Sequence, residues 1–134
     1  MNRGYFFIAF GTQYIEELKM LVNTLRKVGD TLPISVLTSE QDADYCKSLN
    51  IFDKIVIYDF NNELSLRTNT SFEKYGAVPK ILMLKLTPYE ETIFVDSDVL
   101  CQYNPEHVWE LMREKKSSSM YSGSGIFSRL AFRI

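Results

Sequence analysis

The 134-residue sequence has a single histidine, a single tryptophan, two cysteines and no long apolar run. Each scarcity excludes something. Cys46 and Cys101 are too far apart for a CxxC or zinc spacing, so they read as reduced thiols of an intracellular protein. The apolar run Tyr5–Phe10 behind Arg3 is shorter than a signal-peptide core of roughly 7–15 residues and than a membrane span of about 20. It reads as a strand, and the chain as soluble and cytoplasmic. With 15 basic and 17 acidic residues the net charge is -2, which gives no electrostatic case for nucleic acid or an anionic membrane. No internal repeat is visible. The length suits one domain that can bury a core without disulfide staples.

Four short apolar runs are present, at Tyr5–Phe10, Ile34–Leu37, Ile55–Tyr58 and Thr92–Val95. They are continuous rather than alternating, the pattern of parallel strands covered on both faces. Helical patterns separate them. From about Tyr14 to Val28, the residues Ile15, Leu18, Leu21, Val22, Leu25 and Val28 form one stripe. Glu16 and Glu17 are expected in the first turn, Arg26 and Lys27 in the last, and Gly29 as the stop. Ser39 with Asp42 resembles a helix cap, with Ala43, Cys46 and Leu49 on the buried side. A third helix is expected from Pro79 to before Pro88, and a fourth from Asn104-Pro105 through Met112. The alternation predicts a Rossmann-like α/β fold, a mostly parallel sheet in the order 3-2-1-4 with helices on both faces. The polar stretch Asp59–Tyr75 is long for a connection and reads as a functional loop.

Residues 113–134 differ in character. They hold Arg113, Lys115, Lys116, Arg129 and Arg133 against Glu114. With Ser117–Ser119 and Ser122-Gly123-Ser124-Gly125 they read as a basic, linker-like or disordered tail to a domain of residues 1–112, the apolar ends Ile126-Phe127 and Leu130–Phe132 having no clear partner.

The chemistry concentrates at Asp96-Ser97-Asp98, directly after Ile93-Phe94-Val95. Packing gives no reason for a strand to end in two carboxylates. At the end of a strand, residues i and i+2 face the same way, so both carboxylates are expected to point together, and like charges held close repel unless a cation cancels the cost. Oxygen-only ligands suit Mn²⁺ or Mg²⁺. In a 3-2-1-4 sheet, the loops after the first and fourth strands flank the topological switch point, where such sheets bind ligands. Those loops are Gly11-Thr12-Gln13-Tyr14 and Asp96-Ser97-Asp98. Gly11 allows close backbone approach, Thr12 and Gln13 offer hydrogen bonds, and Tyr14 can stack on a base.

Ala9-Phe10-Gly11-Thr12-Gln13-Tyr14, Lys80 and the run from Ile93 to Leu100 together resemble the GT-A-fold glycosyltransferases, especially the family 8 group of glycogenin and bacterial galactosyltransferases. The resemblance spans roughly residues 4–112. It implies that Ala9 to Tyr14 hold the nucleoside of a UDP-sugar, that Lys80 contacts the donor, and that Asp96 and Asp98 bind Mn²⁺, Asp96 also touching ribose. Where that group often has an acidic residue in the first loop, this chain has Gly11-Thr12. It also implies an acceptor-binding second half with a distant histidine ligand. The chain runs 36 residues past Asp98, and His107 lies too close to be that ligand and reads as a helix-surface residue. The expectation is therefore a donor-binding part whose acceptor half comes from elsewhere, and whose acceptor and catalytic residues stay unassigned. Glu106 and Glu110 read as solvated helix residues rather than a catalytic base.

Three rival readings use the same residues. One is a haloacid-dehalogenase-like phosphatase with Asp96 as nucleophile and Asp98 as acid/base, although that motif normally opens its domain. Another is a nucleotidyltransferase, against which Gly11-Thr12-Gln13 offers one glycine and no basic residue. The third is a nucleotide-binding remnant without turnover.

Overall fold

A computed structural model describes residues 2–58, 83, 85–115, 119–122 and 128–133. The order is β1 (Arg3–Ile8), α1 (Thr12–Lys27), β2 (Ile34–Thr38), α2 (Glu40–Leu49), β3 (Lys54–Ile57), β4 (Glu91–Val95), α3 (Glu106–Lys115), β5 (Ser119–Ser122) and β6 (Ser128–Arg133). The strands form one sheet in the order β3-β2-β1-β4-β6-β5. The first four are parallel, with Tyr5 opposite both Ile34 and Ile93. The expected 3-2-1-4 arrangement is therefore present. Among the described residues, no helix is long and apolar enough to cross a membrane.

Strand alternation divides the core into two layers. Tyr5, Phe7, Ala9, Ile34, Val36, Ile93 and Val95 pack with the stripe of α1, with Cys46 of α2 and with Trp109 and Met112 of α3. Phe6, Leu37 and Phe94 face the other way, against Tyr58 and Met83. Both faces of β1 are thus covered, which is why its sequence is continuously apolar. Met83, Lys85 and Leu86 are helical, but most of the expected third helix, including Lys80, lies outside the described residues, as does Asp59–Tyr75.

Three expectations are corrected. α1 begins at Thr12, with Gly11 as its N-cap at φ 99° and ψ 149°, a region essentially reserved for glycine. Thr12, Gln13 and Tyr14 are accordingly a first helical turn rather than a loop. Glu16 and Glu17 fall in the second turn, where they make cross-links instead of serving the helix dipole: Glu16 binds Lys19 and the Tyr45 hydroxyl. Finally, the apolar end Leu130–Phe132 has a partner: β6 pairs antiparallel along all of β4, Leu130 opposite Phe94 and Phe132 opposite Thr92. Its sequence gives little sign of this, because the pairing comes from β4's open edge rather than from local propensity.

Gly4 marks the tightest place in the sheet. A Cβ there would lie 2.6 Å from Tyr89 Cζ and 2.8 Å from the Pro33 carbonyl oxygen. Tyr89 is itself fixed, its hydroxyl 2.5 Å from Ser35 Oγ in the buried interior. The carbonyl is backbone and cannot yield cheaply. We expect Gly4→Ala to destabilise the fold by about 1–3 kcal/mol, the usual cost of overpacking a close-packed interior. Urea denaturation would check this; an unchanged midpoint would mean that Tyr89 moves aside freely.

Candidate functional site

The carboxyl ends of β1 and β4 lie side by side, because β4 takes the edge of β1 that β2 leaves open. Ala9, Phe10 and Gly11 leave one strand; Asp96, Ser97 and Asp98 leave the other. The strand order reverses here, as the sequence predicts, and this is where an open α/β sheet binds its ligand.

The residues leaving β1 divide by role. Ala9 is 1% exposed. Its N–H donates to the Leu37 carbonyl at 3.0 Å, and its carbonyl accepts from Thr38 Oγ1 at 2.7 Å. Phe10 packs edge-on against Tyr58 with ring centroids 6.1 Å apart. These two side chains anchor the segment. Gly11 then turns the chain, and Thr12, Gln13 and Tyr14 are exposed at the start of α1. The first turn of a helix carries backbone N–H groups without intrahelical partners, a favourable environment for an anion.

In the sequence Asp42 reads only as part of a helix cap. Its carboxylate oxygen Oδ2 accepts from Ser39 Oγ at 2.7 Å and from the Gly11 N–H at 2.8 Å. Ser39 Oγ in turn accepts from the Asp42 N–H at 3.2 Å. The cap of α2 therefore also holds the glycine that turns β1 into α1. Local sequence shows the cap; nothing in it shows the partner 31 positions earlier.

On the other strand, Asp96 follows β4 directly, while Ser97 and Asp98 form a turn. The alternation that would make the two carboxylates face alike thus stops at Val95. Asp96 and Ser97 are half-buried and Asp98 is exposed. Ser97 Oγ donates to Glu17 Oε2 of α1 at 2.7 Å, so the second turn of α1 touches the middle residue of the motif. In the sequence Glu17 reads only as a helix-dipole partner; the contact with Ser97, 80 positions away, does not show there. Further on, the Cys101 N–H donates to Thr24 Oγ1 at 2.9 Å, a second tie between α1 and this segment.

Among the described residues, no group of three or more histidine, cysteine or acidic side chains is arranged to hold a metal. A Mg²⁺ or Mn²⁺ ion that bridges phosphates, however, commonly takes only one or two protein carboxylates, with water and phosphate oxygens filling the rest. Asp96, following the strand, and Asp98, exposed in the turn, are two carboxylates of the type such an ion takes. His107 is exposed on α3, as expected of a surface histidine. Glu106 binds Arg3 and Arg113, at 3.6 and 3.3 Å. Arg3 begins β1, so Glu106 sits at the opposite end of the strands, a strand length of roughly 15–20 Å from the site.

An open, mostly parallel sheet with both faces covered and two carboxylates after the strand at its switch point is an α/β architecture that many ligand-binding proteins share, so the fold alone does not choose among activities. By fold the chain resembles the glycosyltransferase GlyE of Streptococcus pneumoniae TIGR4, with TM-score 0.65, 14% identity, and coverage of 99% of this chain and 34% of that one. Residues 2–121 match the family described as "Mannosyltransferase putative", and the chain belongs to that family. It is also 25% identical over 120 residues to "Putative alpha-1,3-mannosyltransferase MNN14" of Candida albicans, across 81% of this chain and 17% of that protein. The chain thus spans about a sixth of that relative's length and a third of the structural neighbour's. The expectation of a glycosyltransferase is met at this level, and the family is a mannosyltransferase one rather than one of the phosphatases considered as rivals.

The Asp42 contacts generate a prediction. Asp42→Ala removes the acceptor of the Gly11 N–H and the Ser39 hydroxyl together. It should cost about 1.5–3 kcal/mol of stability, the range for hydrogen bonds to a charged group. Asp42→Asn keeps one acceptor oxygen and should recover part of the loss. Denaturant titration of the three proteins, with amide exchange at Gly11, would check this; an alanine variant as stable as the parent would deny Asp42 its anchoring role.

Proposed function

We propose that this chain is the donor-binding part of a metal-dependent mannosyltransferase, taking a nucleoside diphosphate–mannose and presenting its sugar to an acceptor hydroxyl. The observation that carries this is the meeting of Gly11–Tyr14 with Asp96-Ser97-Asp98 at the switch point. Membership of a mannosyltransferase family supports the choice of sugar.

In this reading Asp96 and Asp98 hold Mn²⁺ or Mg²⁺, and the first turn of α1 faces the diphosphate with its unpaired N–H groups. The cation, when bound, neutralises the charge that develops on the departing diphosphate. The chain's own residues bind and orient. Gly11 keeps the backbone low beside the ligand, Tyr14, 49% exposed, offers a ring face to the base, and Lys80 adds a positive charge to the donor. Uridine, which the family 8 likeness implies, is one arm of the experiment and guanosine another. Residues supplied by the remainder of a longer protein would position the acceptor.

Calorimetry with UDP, GDP and ADP, each with and without Mn²⁺, tests the reading. One nucleoside diphosphate should bind, and only with metal present. Asp98→Asn should weaken that binding at least about tenfold, the scale of a lost charge-assisted contact, and leave the fold intact. The donor-site reading fails if none of the three binds with Mn²⁺ present.

A further inference from the structure

Glu17 has no part in the donor-site reading, yet it touches the middle residue of the carboxylate motif. It lies in the second turn of α1, four positions before Leu21 and seven before Thr24, on one side of the helix. Leu21 is buried in the core. Glu17 and Thr24, on either side of it, both reach the segment after β4: Glu17 through Ser97 Oγ at 2.7 Å and Thr24 through the Cys101 N–H at 2.9 Å. Val99, between those two attachment points, is buried at 5% exposure. The segment is therefore held at two points and packed between them.

A carboxylate at that position needs explaining. It places a third acidic group beside Asp96 and Asp98, where like charges repel. For packing alone, a leucine would continue the stripe of α1. The carboxylate accepts the hydrogen bond of the Ser97 hydroxyl, which a leucine could not, and Ser97 stands between the two aspartates.

Resting on the donor-site reading above, we infer that Glu17 is a positioning residue. Through Ser97 it fixes the turn that carries Asp98, so that both aspartates are set for a divalent cation before the cation arrives. It acts as a hydrogen-bond acceptor and does not itself bind the metal.

The test is a titration with Mn²⁺, followed by electron paramagnetic resonance, alone and in the presence of UDP or GDP. The proteins are the parent chain, Glu17→Ala, Ser97→Ala, the double variant and Glu17→Gln. Glu17→Ala and Ser97→Ala should each weaken Mn²⁺ binding about tenfold, as expected when a hydrogen bond to a charged group is lost. The double variant should bind no more weakly than either single one, because both remove the same contact. Glu17→Gln keeps an acceptor oxygen and should bind within about threefold of the parent, the residual spread of one retained hydrogen bond. Urea midpoints report whether each variant is folded.

Several outcomes overturn the inference. Parent-like binding by Glu17→Ala denies any positioning role. A glutamine variant as weak as alanine means that charge, not the hydrogen bond, matters. Additive losses mean that Glu17 and Ser97 act separately. Absence of Mn²⁺ binding by the parent chain itself removes the donor-site reading and this inference with it, an outcome distinct from the other three.

Discussion

The pairing of β4 with the open edge of β1 is the constraint on which the site depends. β2 and β3 extend the sheet to one side of β1; β4 must cross to the other. That reversal sends the chains leaving β1 and β4 in different directions and opens a crevice between them. β1 can be the pivot because it is apolar on both faces. Phe6 and Phe7 have no exposed surface and lie in different core layers. A strand with one polar face could not take helices on both sides, and the crossover to β4 would have nothing to pack against. The close approach at Gly4 belongs to the same constraint: Tyr89, on the way into β4, lies directly over β1.

Two acidic residues outside Asp96-Ser97-Asp98 tie together the elements around the switch point. Asp42 ties the start of α1 to the cap of α2, and Glu17 ties α1 to the turn after β4. Both bonds are partly buried, where water competes less for the donor. α1 is common to both, so the geometry of the crevice is set by where this one helix lies. Its placement is fixed in turn by Ile15, Leu18, Leu21, Val22 and Leu25, all buried against the sheet. Apolar burial positions the helix, and the carboxylates convert that position into the orientation of particular backbone groups.

The strands and the stripe of α1 were legible because each is a periodic apolar signal that burial enforces. The switch point followed from strand order alone. Other features depend on contacts across the fold. Thr12 and Gln13 are polar and read as loop, yet Gly11 reaches a backbone conformation that starts the helix earlier. Glu16 and Glu17 read as dipole partners, because a sequence window shows neighbours on the helix but not Tyr45 or Ser97, which lie 29 and 80 positions away. The pairing of β6 was hidden for a similar reason. Its sequence sits among serines and glycines, and the force that makes it a strand is the unsatisfied edge of β4.

That last pairing changes how the end of the described chain relates to the site. β6 runs antiparallel to β4, with Arg133 opposite Glu91 and Arg129 opposite Val95. The strand therefore begins at the end of the sheet where Asp96 emerges and runs away from it. Residues 113–134 read in sequence as a tail set apart from the domain, but the register returns Ser128 and Arg129 to the edge of the crevice. β4 is thus an interior strand, paired with β1 over Glu91–Ile93 and with β6 along its whole length. An edge strand could shift or pair with another chain; an interior one holds its register. The position of Asp96 is therefore set by a strand held by β1 at its start and by β6 up to Val95, with the Glu17–Ser97 bond tying down the turn that follows.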